Sequence, residues 1–248
     1  MMHPNKPTDR KTLCRLAVPT VTGSTLTLGP EQSHYVTHVL RLSVGQALTV
    51  FDAAGLEARA HVTVVTHTGV CLELEASSAR PPPAVCLSMG LAIPKGERSD
   101  WAVEKLTELG VARIAWLHCE RSVVRTEAAG QRHERWARVA TAAAQQSRRV
   151  GLPELVGPMS LKEFLTFTAD HRLLGDAAGE PLLPWVVEHR PRSLLLAIGP
   201  EGGFTAAELQ DAEARDVARV SLNLNILRVE TAAVTAAAMA LGLGVSVA

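Results

Sequence analysis

The chain has 248 residues and a mass of 26.5 kDa, a length that suits two compact domains. Hydrophobic residues make up 47% and charged residues 20%, which excludes a disordered or collagen-like chain. Lys plus Arg equals Asp plus Glu at 25 each, so no bulk basic charge marks the chain for nucleic acid or an anionic membrane.

The first residues predict no signal peptide, because Arg10, Lys11 and Arg15 interrupt the only nearby apolar stretch, and a cytoplasmic protein is expected. From residue 12 to 78 the chain shows short period-two runs: Leu16 and Val18, Leu48 to Phe51, Ala58 to Val64, and Val70 to Leu74. These predict a small β-barrel. Between its strands, Pro30 to Arg41 predicts one short helix with Tyr35, Val39 and Leu42 on one face. Pro81, Pro82 and Pro83 then supply no backbone donors and place a boundary between domains 1–80 and 81–248.

Beyond the prolines the pattern alternates. Val85 to Met89 predicts a strand, and Ser99 or Asp100 caps a helix that stops at Gly110. Val111 to Leu117 predicts a strand and Glu134 to Gln146 a helix. Ser160 with Glu163, and Thr205 with Glu208, are capping boxes that open two further helices. Arg172 to Leu174, Ser193 to Ile198 and Val217 to Leu222 predict strands, and Glu230 to Leu241 a last helix. Such βα units imply a parallel sheet covered on both faces. The uncharged residues 231–248 are long enough for a membrane span, but their Ala content and Gly242 and Gly244 favour a buried, closely packed helix, and no membrane role is expected.

Four cysteines, Cys14, Cys71, Cys86 and Cys119, lie far apart without paired Cys/His spacing, and are read as small core residues in a reducing compartment. His34 and His38 are an i, i+4 pair without a third ligand, so no metal is expected. Divided along the chain, neutrality resolves into a net +4 over residues 81–150 and a net −5 over 151–248. The arginines at 121, 125, 132, 135, 138, 148 and 149 concentrate in the basic segment, where they fit phosphate contacts or solvated helix faces.

Two segments carry the chemistry. Residues 194–205 run from an apolar strand into Gly199, Gly202 and Gly203, where backbone can approach a ligand without obstruction by Cβ atoms. The run lacks both the phosphate-loop ending and the GxGxxG fingerprint. Residues 221–233 repeat the strand-to-loop-to-helix pattern, with Glu230 in the first helical turn. Loops leaving the carboxyl ends of parallel strands line one crevice, so the two segments can share a pocket. Taken alone, the glycines also fit a tight turn, and Arg228 with Glu230 fits a surface pair.

The pair IGPEGGF (198–204) and NILRVETA (225–232) resembles the RsmE family of 16S ribosomal RNA uridine-N3 methyltransferases, within the SPOUT superfamily. The resemblance extends to Arg15, HYVTHVLR (34–41), PKGERSDWAVEKLTELGV (94–111), ERSVVR (120–125) and ERWARVATAAAQQSRR (134–149). It implies a PUA-like β-barrel that binds RNA, followed by an α/β domain whose parallel sheet ends in a deep trefoil knot. It further implies S-adenosylmethionine as cofactor, 16S rRNA or the small ribosomal subunit as partner, and a homodimer. Asn223 and Asp216 depart from the pattern, since glycine is usual at both places.

On this resemblance, backbone groups of Leu196, Gly199, Glu201, Gly202, Leu222, Ile226 and Leu227 hold the cofactor, together with Pro200 and Thr231. Arg228 polarises a uracil carbonyl, and Glu201 or Glu230 accepts the proton or braces its loop. Arg15, His34, His38, Arg41, Arg121, Arg125, Arg148 and Arg149 are the candidate RNA contacts. A SPOUT enzyme acting on ribose 2′-oxygen and a non-catalytic RNA-binding or ribosome assembly protein are the alternatives.

Overall fold

The computed structural model describes residues 14–66, 69–79, 81, 83–94, 96–122, 129–149 and 151–242. The chain divides into two compact units: Met1–Pro81 with Ala144–Leu152, and Pro82–Ala143 with Pro153–Ala248. A single cut at the prolines therefore does not describe it, because residues 144–152 group with the N-terminal unit.

The N-terminal unit is one six-stranded sheet of β1 (Arg15–Ala17), β2 (Thr25–Thr27), β3 (Ala47–Phe51), β4 (Leu56–Val65), β5 (Val70–Leu74) and β6 (Ser78–Ala79). The order is β1-β3-β4-β5-β2, with β6 on β4; β1 and β3 are parallel and the other pairs antiparallel. Among the described residues no ladder joins β1 to β2, so by its hydrogen bonds the expected barrel is an open sheet. Alternation places Leu48, Val50, Ala60, Val62, Val70 and Leu72 in its core. The predicted single helix is two pieces: α1 (Pro30–His34), then a π-helical turn over Tyr35–Val39 in which Leu40 N–H reaches Tyr35 O. Tyr35 and Leu42 of the expected face pack on the core, but the wider turn shifts the helical phase between them, so Val36 is buried and Val39 is 57% exposed.

The last turn of the long helix α3 (Ala129–Ser147) and the residues after it are tied to this sheet. Ala17 N–H donates to Gln145 Oε1 at 3.0 Å, and Arg15 Nη2 donates to Arg149 O at 3.3 Å. Arg15 is 7% exposed, pairs with Glu57 at 3.1 Å and lies over the Phe51 ring.

The second unit is an all-parallel sheet of β7 (Cys86–Ala92), β8 (Arg113–His118), β9 (Glu154–Ser160), β10 (His171–Pro181), β11 (Ser193–Ile198) and β12 (Ala218–Ser221), in the order β12-β10-β11-β7-β8-β9. Its central strands read as continuous apolar runs because both faces are covered. On one face lie α2 (Arg98–Leu109), α5 (Leu182–His189) and α7 (Val229–Gly242); α4 (Leu161–Phe164) and α6 (Ala206–Glu213) cover the other. Both predicted capping boxes form, with Ser160 accepting from Glu163 N–H and Thr205 from Glu208 N–H. The cap of α2 differs from expectation: the helix starts from Glu97, without a side-chain cap. The buried side of α7 is almost all alanine (232, 233, 236, 237 and 240), which lets it lie close to β7, β11, α2 and α5.

Strand β9 and helix α5, which carry Pro158 and Pro184, have no counterpart among the elements expected from sequence. β9 is an edge strand, and Pro184 falls in the first turn of α5, where its missing N–H has no intrahelical partner to lose. No described helix is long and apolar enough to cross a membrane.

Gly179, in β10, packs on β12: a Cβ there would sit 2.4 Å from the Arg219 carbonyl carbon. Gly179→Ala is expected to destabilise the protein by about 3 kcal/mol or more by overpacking. Gly242→Ala, with nothing within 4 Å, should stay within about 1 kcal/mol of the parent. Urea unfolding of the two variants checks both values.

Candidate functional site

Strands β10, β11 and β12 are neighbours and run parallel, so their carboxyl ends lie side by side. The residues that follow them enclose a cavity of about 320 Å³. Gly175, Asp176 and Ala177 come from β10, residues 198–204 from the end of β11, and Val220, Leu222, Asn223, Asn225, Ile226 and Leu227 from β12 and its loop. Ala232 of α7 completes it.

The expected cofactor residues Gly199, Pro200, Glu201, Gly202, Leu222, Ile226 and Leu227 all line this cavity. Two do not. Leu196 is fully buried within β11, paired with Leu173 and Met89, because a side chain two residues inside a central strand meets core. Thr231 lines a separate cleft of about 640 Å³, with Gly96, Glu97, Arg98, Trp101 and Glu230. Gly175 and Asp176 were missed; the β run visible in sequence ended at Leu174, whereas β10 continues to Pro181.

Small residues set the cavity's shape. A Cβ on Gly199 would meet the Phe204 ring at 2.9 Å, and one on Gly175 would meet Ile198 Cδ1 at 3.0 Å. Gly203 holds φ 69°, a left-handed conformation, and its N–H donates to Pro200 O at 2.8 Å. The loop is fixed from outside as well: Arg121 Nη1 donates to Gly202 O at 2.7 Å and Phe204 O at 3.3 Å.

The three expected catalytic side chains are not brought together. Glu201 lines the first cavity and Glu230 the second cleft, while Arg228 is exposed and lines neither. Glu230 is 7% exposed, has Arg98 Nε 3.6 Å from its Oε1, and its buried Oε2 has no hydrogen-bond partner among the described residues. An acceptor held in that state favours an incoming donor.

Of the expected RNA contacts, Arg15 is corrected: it is buried in the N-terminal unit and engaged by Glu57, Phe51 and Arg149 O, which leaves it closed to a phosphate. Arg149 is half-buried, and burial lowers its guanidinium pKa to about 10. Arg121 is exposed but engaged by the glycine loop. His34 and His38 are exposed and stacked at 4.3 Å, and they line a groove of about 490 Å³ with Thr37, Thr66 and Gly69. Arg41 and Arg148 are exposed, with φ 54° and 57°. Arg125 lies outside the described residues.

No group of three or more His, Cys, Asp or Glu side chains among the described residues is placed to hold a metal. Of the cysteines only Cys119 is buried, and Cys86 is exposed at the first position of β7, contrary to the reading of all four as core.

Residues 81–241 match the family described as the RNA methyltransferase domain, and residues 28–75 match the RNA methyltransferase PUA domain. The ribosomal RNA small subunit methyltransferase E of Synechocystis sp. is 33% identical, over 87% of this chain and 72% of its own length. This chain belongs to the ribosomal RNA small subunit methyltransferase E family. It is a methyltransferase. The Bacillus subtilis member of the family is 29% identical, over 84% of this chain and 86% of its own. The Neisseria gonorrhoeae member, solved bound to S-adenosyl methionine, is 27% identical with a TM-score of 0.83, covering 93% of this chain and 97% of that one. A methyltransferase from Legionella pneumophila, solved with the cofactor SAM, is 29% identical with a TM-score of 0.81, covering 93% and 98%. The family membership carries the α/β fold with its parallel sheet and the PUA-like N-terminal unit.

Burial, with the Glu208 carboxylate nearby as a smaller cause, pushes the Cys119 thiol up to about 12. Since the thiolate is the nucleophile, native protein at pH 8.5 should leave Cys119 unalkylated by iodoacetamide while exposed Cys86 reacts. Peptide mass mapping reads both sites.

Proposed function

We propose that this chain transfers the methyl group of S-adenosylmethionine to N3 of a uridine in 16S rRNA, acting in the cytoplasm as a homodimer. The observation that carries the reading is the glycine-shaped cavity at the carboxyl ends of β10, β11 and β12. Its residues fit the cofactor: bare backbone at Gly199 and Gly202, apolar walls at Ile198, Leu222 and Leu227, and carboxylates at Asp176 and Glu201 for a ligand with cationic groups. When bound, the cofactor supplies an electrophilic methyl on a sulfonium.

The chain's own work is positioning, water exclusion and proton handling. Apolar walls exclude water, and the fixed glycine loop orders the ligand without an entropic cost at the moment of binding. Glu201, which lines the cavity, and Glu230, buried in the neighbouring cleft with one oxygen unpaired, are the two candidate acceptors for the uracil N3 proton. Arg228, exposed on the loop after β12, is free to swing onto a uracil carbonyl and stabilise the charge that develops there.

In this reading the N-terminal unit binds RNA through His34, His38 and Arg41, and Arg125 and Arg148 add phosphate contacts. The C-terminal unit carries the trefoil knot. Support for the knot comes from β10, which pairs with β12 on both sides of a register shift between Gly175 and Glu180 and presses Gly179 onto the β12 backbone. Support for the homodimer comes from Leu224 and Ile226, fully exposed apolar side chains beside the cavity that a second copy would cover.

Two measurements test this. Nucleoside mass spectrometry of 16S rRNA from cells with and without the gene should show N3-methyluridine only with it, and a 2′-O-methylated product would overturn the assignment. Arg148→Ala should weaken RNA binding and reduce the salt slope by about one; an unchanged slope would return Arg148 to the solvated surface.

A further inference from the structure

The turn that follows β8 is joined to the glycine loop across more than eighty residues of sequence. Arg121 donates from Nη1 to Gly202 O at 2.7 Å and to Phe204 O at 3.3 Å. Its stem lies along the loop, where a Cβ on Gly202 would sit 3.4 Å from Arg121 Cδ. Next to it, Glu120 N–H donates to Glu208 Oε1 at 3.1 Å, while Glu208 Oε2 accepts from Thr205 N–H at 2.8 Å in the cap of α6. Ser122 Oγ closes the turn by accepting from Cys119 N–H at 3.2 Å.

We propose that Arg121 is a positioning residue of the methyl-transfer site, latching the glycine loop in the form that receives the cofactor. The inference rests on the reading of that cavity as the cofactor site. Gly202 and Gly203 give the loop more backbone freedom than any other residues would, and a ligand that must freeze it loses affinity to that ordering. A guanidinium bound to carbonyls on both sides of Gly203 removes the freedom in advance, by charge-assisted hydrogen bonds that a solvated loop would lack. Both bonds leave the one nitrogen Nη1, so an ammonium keeps the charge, but its stem is one bond shorter and reaches the carbonyls less well. By charge alone Arg121 belongs with the phosphate-facing arginines; by its bonds it belongs to the cofactor loop.

Calorimetric titration with S-adenosylmethionine and steady-state kinetics on 16S rRNA fragments, for the full-length protein and for Arg121→Ala and Arg121→Lys, test the latch. Arg121→Ala should weaken cofactor affinity and raise the cofactor KM about tenfold. Its kcat at saturating cofactor should stay within about threefold and its KM for RNA should be unchanged. Arg121→Lys should fall between, and added guanidinium chloride at low millimolar concentration should restore the cofactor affinity of Arg121→Ala. Because the side chain is exposed, thermal unfolding of the variants should match the parent. Unchanged cofactor affinity in Arg121→Ala, or a loss confined to the KM for RNA, overturns the inference. Absence of cofactor binding by the parent protein overturns the cofactor reading and the latch together.

Discussion

Parallel pairing of β10 with both β11 and β12 brings the outer part of β10 and the loops that leave β11 and β12 into one small region at the edge of the sheet. Parallel strands cannot be joined by tight turns, so each end must open into a crossover, and the crossovers compete for the same space. Glycine relieves the crowding: Gly179 lies against the backbone of Arg219 and Val220, and Gly175 and Gly199 make room for the side chains of Ile198 and Phe204. The same absence of side chains leaves a hollow with bare backbone in its wall. Cavity and close packing are therefore one consequence of strand order, and the alanine face of α7 extends it by letting a helix lie close to β7 and β11.

The segment from β11 into α6 was legible in sequence because three independent signals agree there. An apolar run of five, a glycine cluster and the Thr205–Glu208 box mark strand, loop and helix start, and the structure forms all three. Where signals conflicted, the reading failed. β9 and α5 have no expected counterpart; each carries a proline, at an edge strand and in a first helical turn, the places where a missing N–H costs least. The π-helical turn at Tyr35–Val39 moved the buried face from Val39 to Val36, since a 3.6-residue period cannot anticipate a locally wider turn.

For the site, backbone loops were legible and side-chain partners were not. Seven of the expected cofactor residues line one cavity because strand ends and glycines fix backbone position. The candidate arginines rest on local charge and on the family resemblance, and neither says what a guanidinium will touch. Arg15 is consumed by Glu57, Phe51 and Arg149 O in the N-terminal unit, and Arg121 by two carbonyls of the glycine loop. A local basic excess thus overstates the charge offered to a phosphate backbone, since engaged guanidinium groups count in the sum and are spent elsewhere.

Asp216 and Asn223 stand where the resemblance to the family implies glycine. Asp216 sits between α6 and β12 at φ 57°, where glycine would be free of strain and an aspartate costs about 1 kcal/mol. The turn nevertheless closes, with Asp216 N–H on Glu213 O at 3.1 Å and Val217 N–H on Ala212 O at 3.2 Å, so the cost falls on stability and leaves the cavity wall alone. Asn223 lines the cavity, yet its Oδ1 accepts from Leu224 N–H at 2.7 Å, so the side chain is turned back on its own backbone. That local bond stiffens a loop that glycine would leave loose. It also fixes the stretch that holds Leu224 and Ile226 out in solvent, so the substitution bears on what covers the site more than on what fills it.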